Sequence, residues 1–150
     1  MIGVGNRWRS DDAAGLEVAA RLRGELPTHV AVLEREGEPT SLIDAWSGAE
    51  AVWVADAVSS GAAAGTLHRL DAGADALPAE LFRTSTHHFG LAEAVELARA
   101  VGSLPARLVI YGIEAERLEL GDELTPAVAE AVGMAAEAIR REVLTCTSAR

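Results

Sequence analysis

The sequence predicts an α/β fold: one three-layer domain over residues 1–150, with a twisted, mainly parallel sheet of about five strands and helices on both faces. Three observations carry that expectation. Short β-type apolar runs alternate with longer stretches of helical periodicity, the pattern of βαβ units. The length of 150 residues suits a single core that buries roughly two thirds of the unfolded surface. The chain is 49% hydrophobic but has only three Trp, two Phe and one Tyr, so Ala, Val and Leu must fill that core, and small side chains let helices lie close to a sheet.

The first strand is expected at Met1 to Val4. Only four residues precede Gly5 where a strand usually brings about five or six, so this central strand is predicted to be short. A helix from Asp11 to Leu26 follows, with Leu16, Ala19, Ala20 and Leu26 on or near one stripe and Glu17, Arg21 and Arg23 away from it. Next come a strand at Val30 to Arg35, a helix at Ser41 to Trp46, and strands at Ala51 to Ala57 and Gly65 to Leu70. A helix at His88 to Val101 precedes the last strand, Leu108 to Ile113. The final helix, Pro126 to Leu144, places Val128, Val132, Ala135, Ala136, Ile139 and Val143 on one face, and Thr125-Pro126 opens it as N-cap and first helical residue.

A formal net charge of −10, with no basic run of five residues, repels phosphate backbones, so nucleic acid is not an expected partner. No apolar run approaches the roughly eighteen residues of a spanning helix, and the start has no apolar signal segment. The single cysteine, Cys146, permits no internal disulfide and reads as a tail thiol without a role. A cytoplasmic monomer without membrane attachment is the expectation.

Three motifs carry candidate chemistry. In Gly3-Val4-Gly5-Asn6-Arg7-Trp8-Arg9-Ser10-Asp11-Asp12 a strand enters a glycine turn, then a polar loop, then a helix. Trp8 stands where a dinucleotide fingerprint needs its third glycine, and two acids at a helix start repel phosphate, which argues against a nucleotide. Capping accounts for one of the acids; Asp12 is then a candidate to point over the sheet edge as a ligand. In Val52-Trp53-Val54-Ala55-Asp56-Ala57-Val58 an apolar strand ends in a carboxylate, whose burial costs several kcal/mol unless a cation or hydrogen-bond donors compensate. Binding backbone amides of the next turn is the equally weighted alternative. In Thr84-Ser85-Thr86-His87-His88-Phe89-Gly90-Leu91 a polar loop enters a helix that Ser85 or Thr86 can cap, leaving one of two adjacent histidines as a ligand and the other as a neighbour or surface residue. Two carboxylates and an imidazole form an O,O,N set with open positions, suited to Zn, Ni, Fe or Mn.

The ordered set Gly3-x-Gly5-Asn6, Asp11-Asp12, Ala55-Asp56-Ala57 and Ser85-Thr86-His87 with Phe89-Gly90-Leu91 resembles the hydrogenase maturation endopeptidases, the processing proteases of nickel-iron hydrogenase large subunits. The likeness runs nearly the whole chain, through Gly65-Thr66, Gly112-Ile113-Glu114 and Leu124-Thr125-Pro126. The resemblance implies a twisted α/β sheet with helices on both sides and an aspartyl-type endopeptidase that removes a C-terminal extension from a nickel-iron hydrogenase large-subunit precursor. By the same resemblance Asp12, Asp56 and His87 are the metal-binding and catalytic positions, and the ion is nickel carried by the substrate, with zinc or another divalent ion able to occupy the site. Two alternatives stay open at this stage: a non-catalytic chaperone that binds the metallosubunit, and a small-molecule hydrolase or nucleotide-binding domain resting on the glycine turn alone.

Overall fold

The computed structural model describes residues 1–82 and 88–149. Its strands are β1 (Ile2–Val4), β2 (Leu33–Arg35), β3 (Ala51–Val58), β4 (Leu67–Asp71) and β5 (Arg107–Glu114). Its α-helices are α1 (Ala14–Leu22), α2 (Pro39–Trp46), α3 (His88–Val101) and α4 (Pro126–Ser148), with short 3-10 turns at Ser10–Ala13 and Ala79–Phe82. The strands form one sheet in the order β2-β1-β3-β5-β4.

β1, β2, β3 and β5 run parallel, and β4 lies antiparallel to β5 on the edge, with Leu67 opposite Ile113 and Asp71 opposite Val109. That reversal follows from chain length. Segment 59–66 is too short for the crossover of a dozen or more residues that a parallel return requires, so the chain turns back at the carboxyl end of β3.

β3 is buried along nearly its whole length, so its alternating side chains feed both cores. On one face Trp53, Ala55 and Ala57 meet Val18 and Leu22 of α1 and Val132, Ala135 and Ile139 of α4. On the other, Val52, Val54 and Val58 meet Leu42 and Trp46 of α2 and Leu91 and Val95 of α3. These two cores account for helices on both faces.

Several boundaries differ from the sequence reading. β1 is as short as expected, three residues. The first helix is not continuous from Asp11 to Leu26: Ser10–Ala13 is a 3-10 turn, and α1 stops at Leu22 because Arg23 turns extended and Gly24 takes a left-handed φ of 85°. β2 begins only at Leu33. Glu38, rather than Ser41, starts α2, its carboxylate accepting the Thr40 and Ser41 amides with Pro39 at the first helical position.

Candidate active site

In the order β2-β1-β3 the chain leaves β1 toward β2 and returns on the opposite side of β1 as β3. The crevice beyond the carboxyl ends of β1 and β3 is therefore the topological switch point of the sheet, where open α/β sheets bind ligands. The loop after β1 and the end of β3 both open there.

Close backbone packing brings the two loops to this crevice. Gly15, in the first turn of α1, lies so near the carbonyls of Val4 and Ala55 that no side chain fits. Gly3 faces the Gly15 carbonyl in the same way. The acidic turn Ser10–Ala13 is thereby held against β3 just ahead of α1, and the Asp12 carbonyl takes the Asn6 N–H at 3.3 Å to close the loop. Gly3 pairs with Ala55, so Asp56 stands one residue further along, level with the end of β1.

The neighbours Asp11 and Asp12 do opposite jobs. Asp11 is fully buried and does not cap its own helix. Its carboxylate accepts the Glu116 and Arg117 amides at 2.9 and 2.8 Å and the Thr125 amide at 2.7 Å, with the Thr125 hydroxyl 2.9–3.0 Å from both oxygens. It fastens the connection between β5 and α4 to the loop after β1. Thr125 occupies the N-cap of α4 as expected, but its hydroxyl is turned to Asp11 rather than to the helix.

Asp12 is 2% exposed, and among the described residues neither of its carboxylate oxygens has a hydrogen-bond partner. A buried carboxylate with no compensating donor is a cost to the fold, and a cation brought to the crevice removes it. Two oxygens free to coordinate fit a hard or borderline divalent ion. Asp56 is fully buried, and by strand alternation it points to the side of Val54 and Val58, the face covered by α3. α3 starts at His88, and its Gly90 packs on the Gly37 carbonyl in the loop after β2, which sets the start of this helix at the carboxyl end of the sheet.

The third expected ligand, His87, lies outside the described residues, as do the Ser85 and Thr86 capping candidates. Among the described residues no three His, Cys, Asp or Glu side chains are grouped to hold an ion. The structure thus places Asp12 and Asp56 on neighbouring segments, the turn after β1 and the end part of β3.

One buried acid escaped the motif reading. Glu114, 1% exposed at the end of β5, accepts the Ser60 and Gly61 amides at 2.7 and 3.0 Å and the Ser60 hydroxyl at 2.8 Å, with His68 Nε2 at 3.1 Å. It anchors the loop that follows Asp56. The signal was present, since Glu114 ends an apolar strand just as Asp56 does. Asp11 and Glu114, saturated with donors, are scaffold, whereas Asp12 is the buried acid left open.

Comparison with known proteins agrees with this architecture. A family model described as hydrogenase maturation protease matches residues 16–142. The Escherichia coli hydrogenase 2 maturation protease is 32% identical over 144 residues, covering 93% of this chain and 86% of that protein. The hydrogenase expression/formation protein HupD of Rhodobacter capsulatus is 32% identical over 146 residues, covering 93% of this chain and 69% of its own. The structure of the hydrogenase maturating endopeptidase HybD from E. coli superposes with a TM-score of 0.76 at 29% identity, over 92% of this chain and 86% of that one. On this fold and this extent of similarity, the chain belongs to the hydrogenase maturation protease family and is a maturation endopeptidase.

Proposed function

We propose that this endopeptidase removes the C-terminal extension of a nickel-iron hydrogenase large-subunit precursor, and that Asp12, Asp56 and His87 recognise nickel already held by that substrate. The observation that carries the reading is Asp12: a buried carboxylate whose two oxygens have no hydrogen-bond partner among the described residues, at the switch point of the sheet. Nickel on a docking precursor supplies the missing positive charge, and zinc or another borderline ion fits the same donors. A precursor without metal leaves Asp12 uncompensated and binds less well, so the site reads metal loading before the cut.

The residues also offer acid–base chemistry. With one Asp12 oxygen on the ion, the other is available to take a proton from a water that attacks the scissile carbonyl; the C–N bond then breaks and the proton passes to the leaving amine. Holding the metal and the peptide on one rigid rim supplies the orientation the step needs.

Mass spectrometry of nickel-loaded large-subunit precursor before and after incubation tests the reading. The expected result is loss of the C-terminal extension with wild-type protein, and full-length precursor with Asp12→Ala, Asp56→Ala or His87→Ala at unchanged folding. Trimming at the wild-type rate by all three variants would discard the site.

A further inference from the structure

We infer that Trp8 and Leu120 form a substrate-docking platform beside the crevice, which positions an apolar, basic-flanked segment of the precursor next to its scissile bond. The inference rests on the substrate being a precursor polypeptide, as proposed above.

Trp8 is 68% exposed and Leu120 81% exposed. They come from segments far apart in the chain, yet the backbone locks those segments together. The Gly121 N–H donates to the Trp8 carbonyl at 3.0 Å, the Ser10 N–H to the Gly121 carbonyl at 2.8 Å, and Arg9 and Gly121 form a parallel bridge. The Trp8 N–H is held by Asn6 Oδ1 at 2.9 Å, and the Arg9 side chain donates to the Leu118 carbonyl at 3.2 Å. Ser10, in a left-handed conformation with φ 49°, is fixed by a 3.0 Å bond from its hydroxyl to the Glu119 carbonyl.

Main-chain bonds and polar side chains therefore hold this loop pair. The Trp8 and Leu120 side chains contribute little to it, and their apolar surface is left to water. Scattered exposed apolar residues such as Met134 on α4 are ordinary. Here two large ones stand on two loops locked to each other, one of them the loop that Asp12 closes, and a rigid, exposed Trp is a common anchor of protein recognition.

Charge selects the kind of partner. Exposed Glu116, Glu119, Asp122 and Glu123 flank Leu120 in the chain and outnumber the bases of the two loops, Arg117 and Arg9, while Arg7 is paired with Glu34 at 3.0 Å. An apolar segment with basic flanks complements that surface, and the complementarity acts mainly on encounter and is screened by salt.

The experiment compares wild type, Trp8→Ser, Leu120→Ser and the double variant on nickel-loaded large-subunit precursor, with thermal unfolding as a folding control. Expected are a KM raised about tenfold in each single variant and more in the double, unchanged kcat, unfolding temperatures near wild type, and a KM that rises with salt. Unchanged KM overturns the inference, and so does a fall in kcat alone. Dimerisation of wild type that is lost in the double variant at unchanged KM would reassign the platform to a second copy of the chain, also overturning it. A parallel arm measures binding of the same precursor to Asp12→Asn with and without the platform substitutions. If wild type trims nothing, the proposed cleavage fails, and this arm alone decides the platform: weaker binding in the platform variants upholds it, equal binding removes it.

Discussion

Replacing Asp11 and Asp12 separately by Asn makes the same small change at adjacent buried positions, and the structure predicts opposite effects on stability. At Asp11 the substitution turns one oxygen into an N–H donor, which then faces either the Thr125 amide at the Oδ1 position or the Glu116 and Arg117 amides at the Oδ2 position. Losing one or two charge-assisted amide bonds, at about 1.5–3 kcal/mol each, is expected to cost about 2–5 kcal/mol. At Asp12 there are no side-chain hydrogen bonds to lose among the described residues. A neutral amide is cheaper to bury than an unpaired carboxylate, so Asp12→Asn is expected to stabilise the fold by about 1–3 kcal/mol. For a chain of this size that raises the Tm by roughly 2–4 °C per kcal/mol. Urea and thermal unfolding at pH 7, without added metal, read both variants, and precursor trimming is expected to be lost in Asp12→Asn. Gaining stability while losing activity is the signature of a functional group kept at a cost. If Asp12→Asn loses as much stability as Asp11→Asn, Asp12 is scaffold and the argument for an open coordination site collapses.

Two further outcomes follow from other parts of the fold. Gly15→Ala forces a methyl group onto the Val4 and Ala55 carbonyls; a loss of about 3 kcal/mol or more in urea unfolding, together with lost trimming, is expected, and wild-type stability would show that the acidic turn does not depend on this close approach. Glu142 on α4 accepts from Trp53, Arg69 and Arg107 and from the Tyr111 hydroxyl. Burial pushes its pKa up, but the bonds from Arg69, Tyr111 and Trp53 outweigh it and hold the carboxyl at about 2. Because the folded pKa lies below the unfolded value of about 4.5, this stabilisation is complete above pH 4.5 and is lost as pH falls toward 2. Glu142→Gln is expected to lower stability by about 2–3 kcal/mol at pH 7 and to flatten the pH dependence between 4.5 and 2; equal acid sensitivity of the two proteins, followed by unfolding across that range, would remove Glu142 from the account.

The candidate site was legible in part because strand ends carry meaning. An acid that closes a buried apolar run, as Asp56 does, has to be compensated, and local sequence is enough to see it. The same rule, applied once more, would have found Glu114. It could not tell scaffold from open site. Glu114 looks like a candidate ligand on paper, and only the donors from Ser60 and Gly61 show that it anchors a loop.

Periodicity and glycine placement determined the alternation of strands and helices, the short first strand, the α/β class and the ordered motifs that resemble the processing proteases, because each is a property of a few consecutive residues. Tertiary structure decided what depends on distant partners. The donors that make Asp11 a fastener come from Glu116, Arg117 and Thr125, more than a hundred positions away. Gly121 reaches the Trp8 carbonyl only because two loops pair, and β4 takes the sheet edge beside β5 rather than pairing with β3, which precedes it in the chain. Hydrogen bonds and burial are satisfied between segments that the chain keeps far apart, so the sequence names the acids and only the folded molecule says which of them is left without a partner.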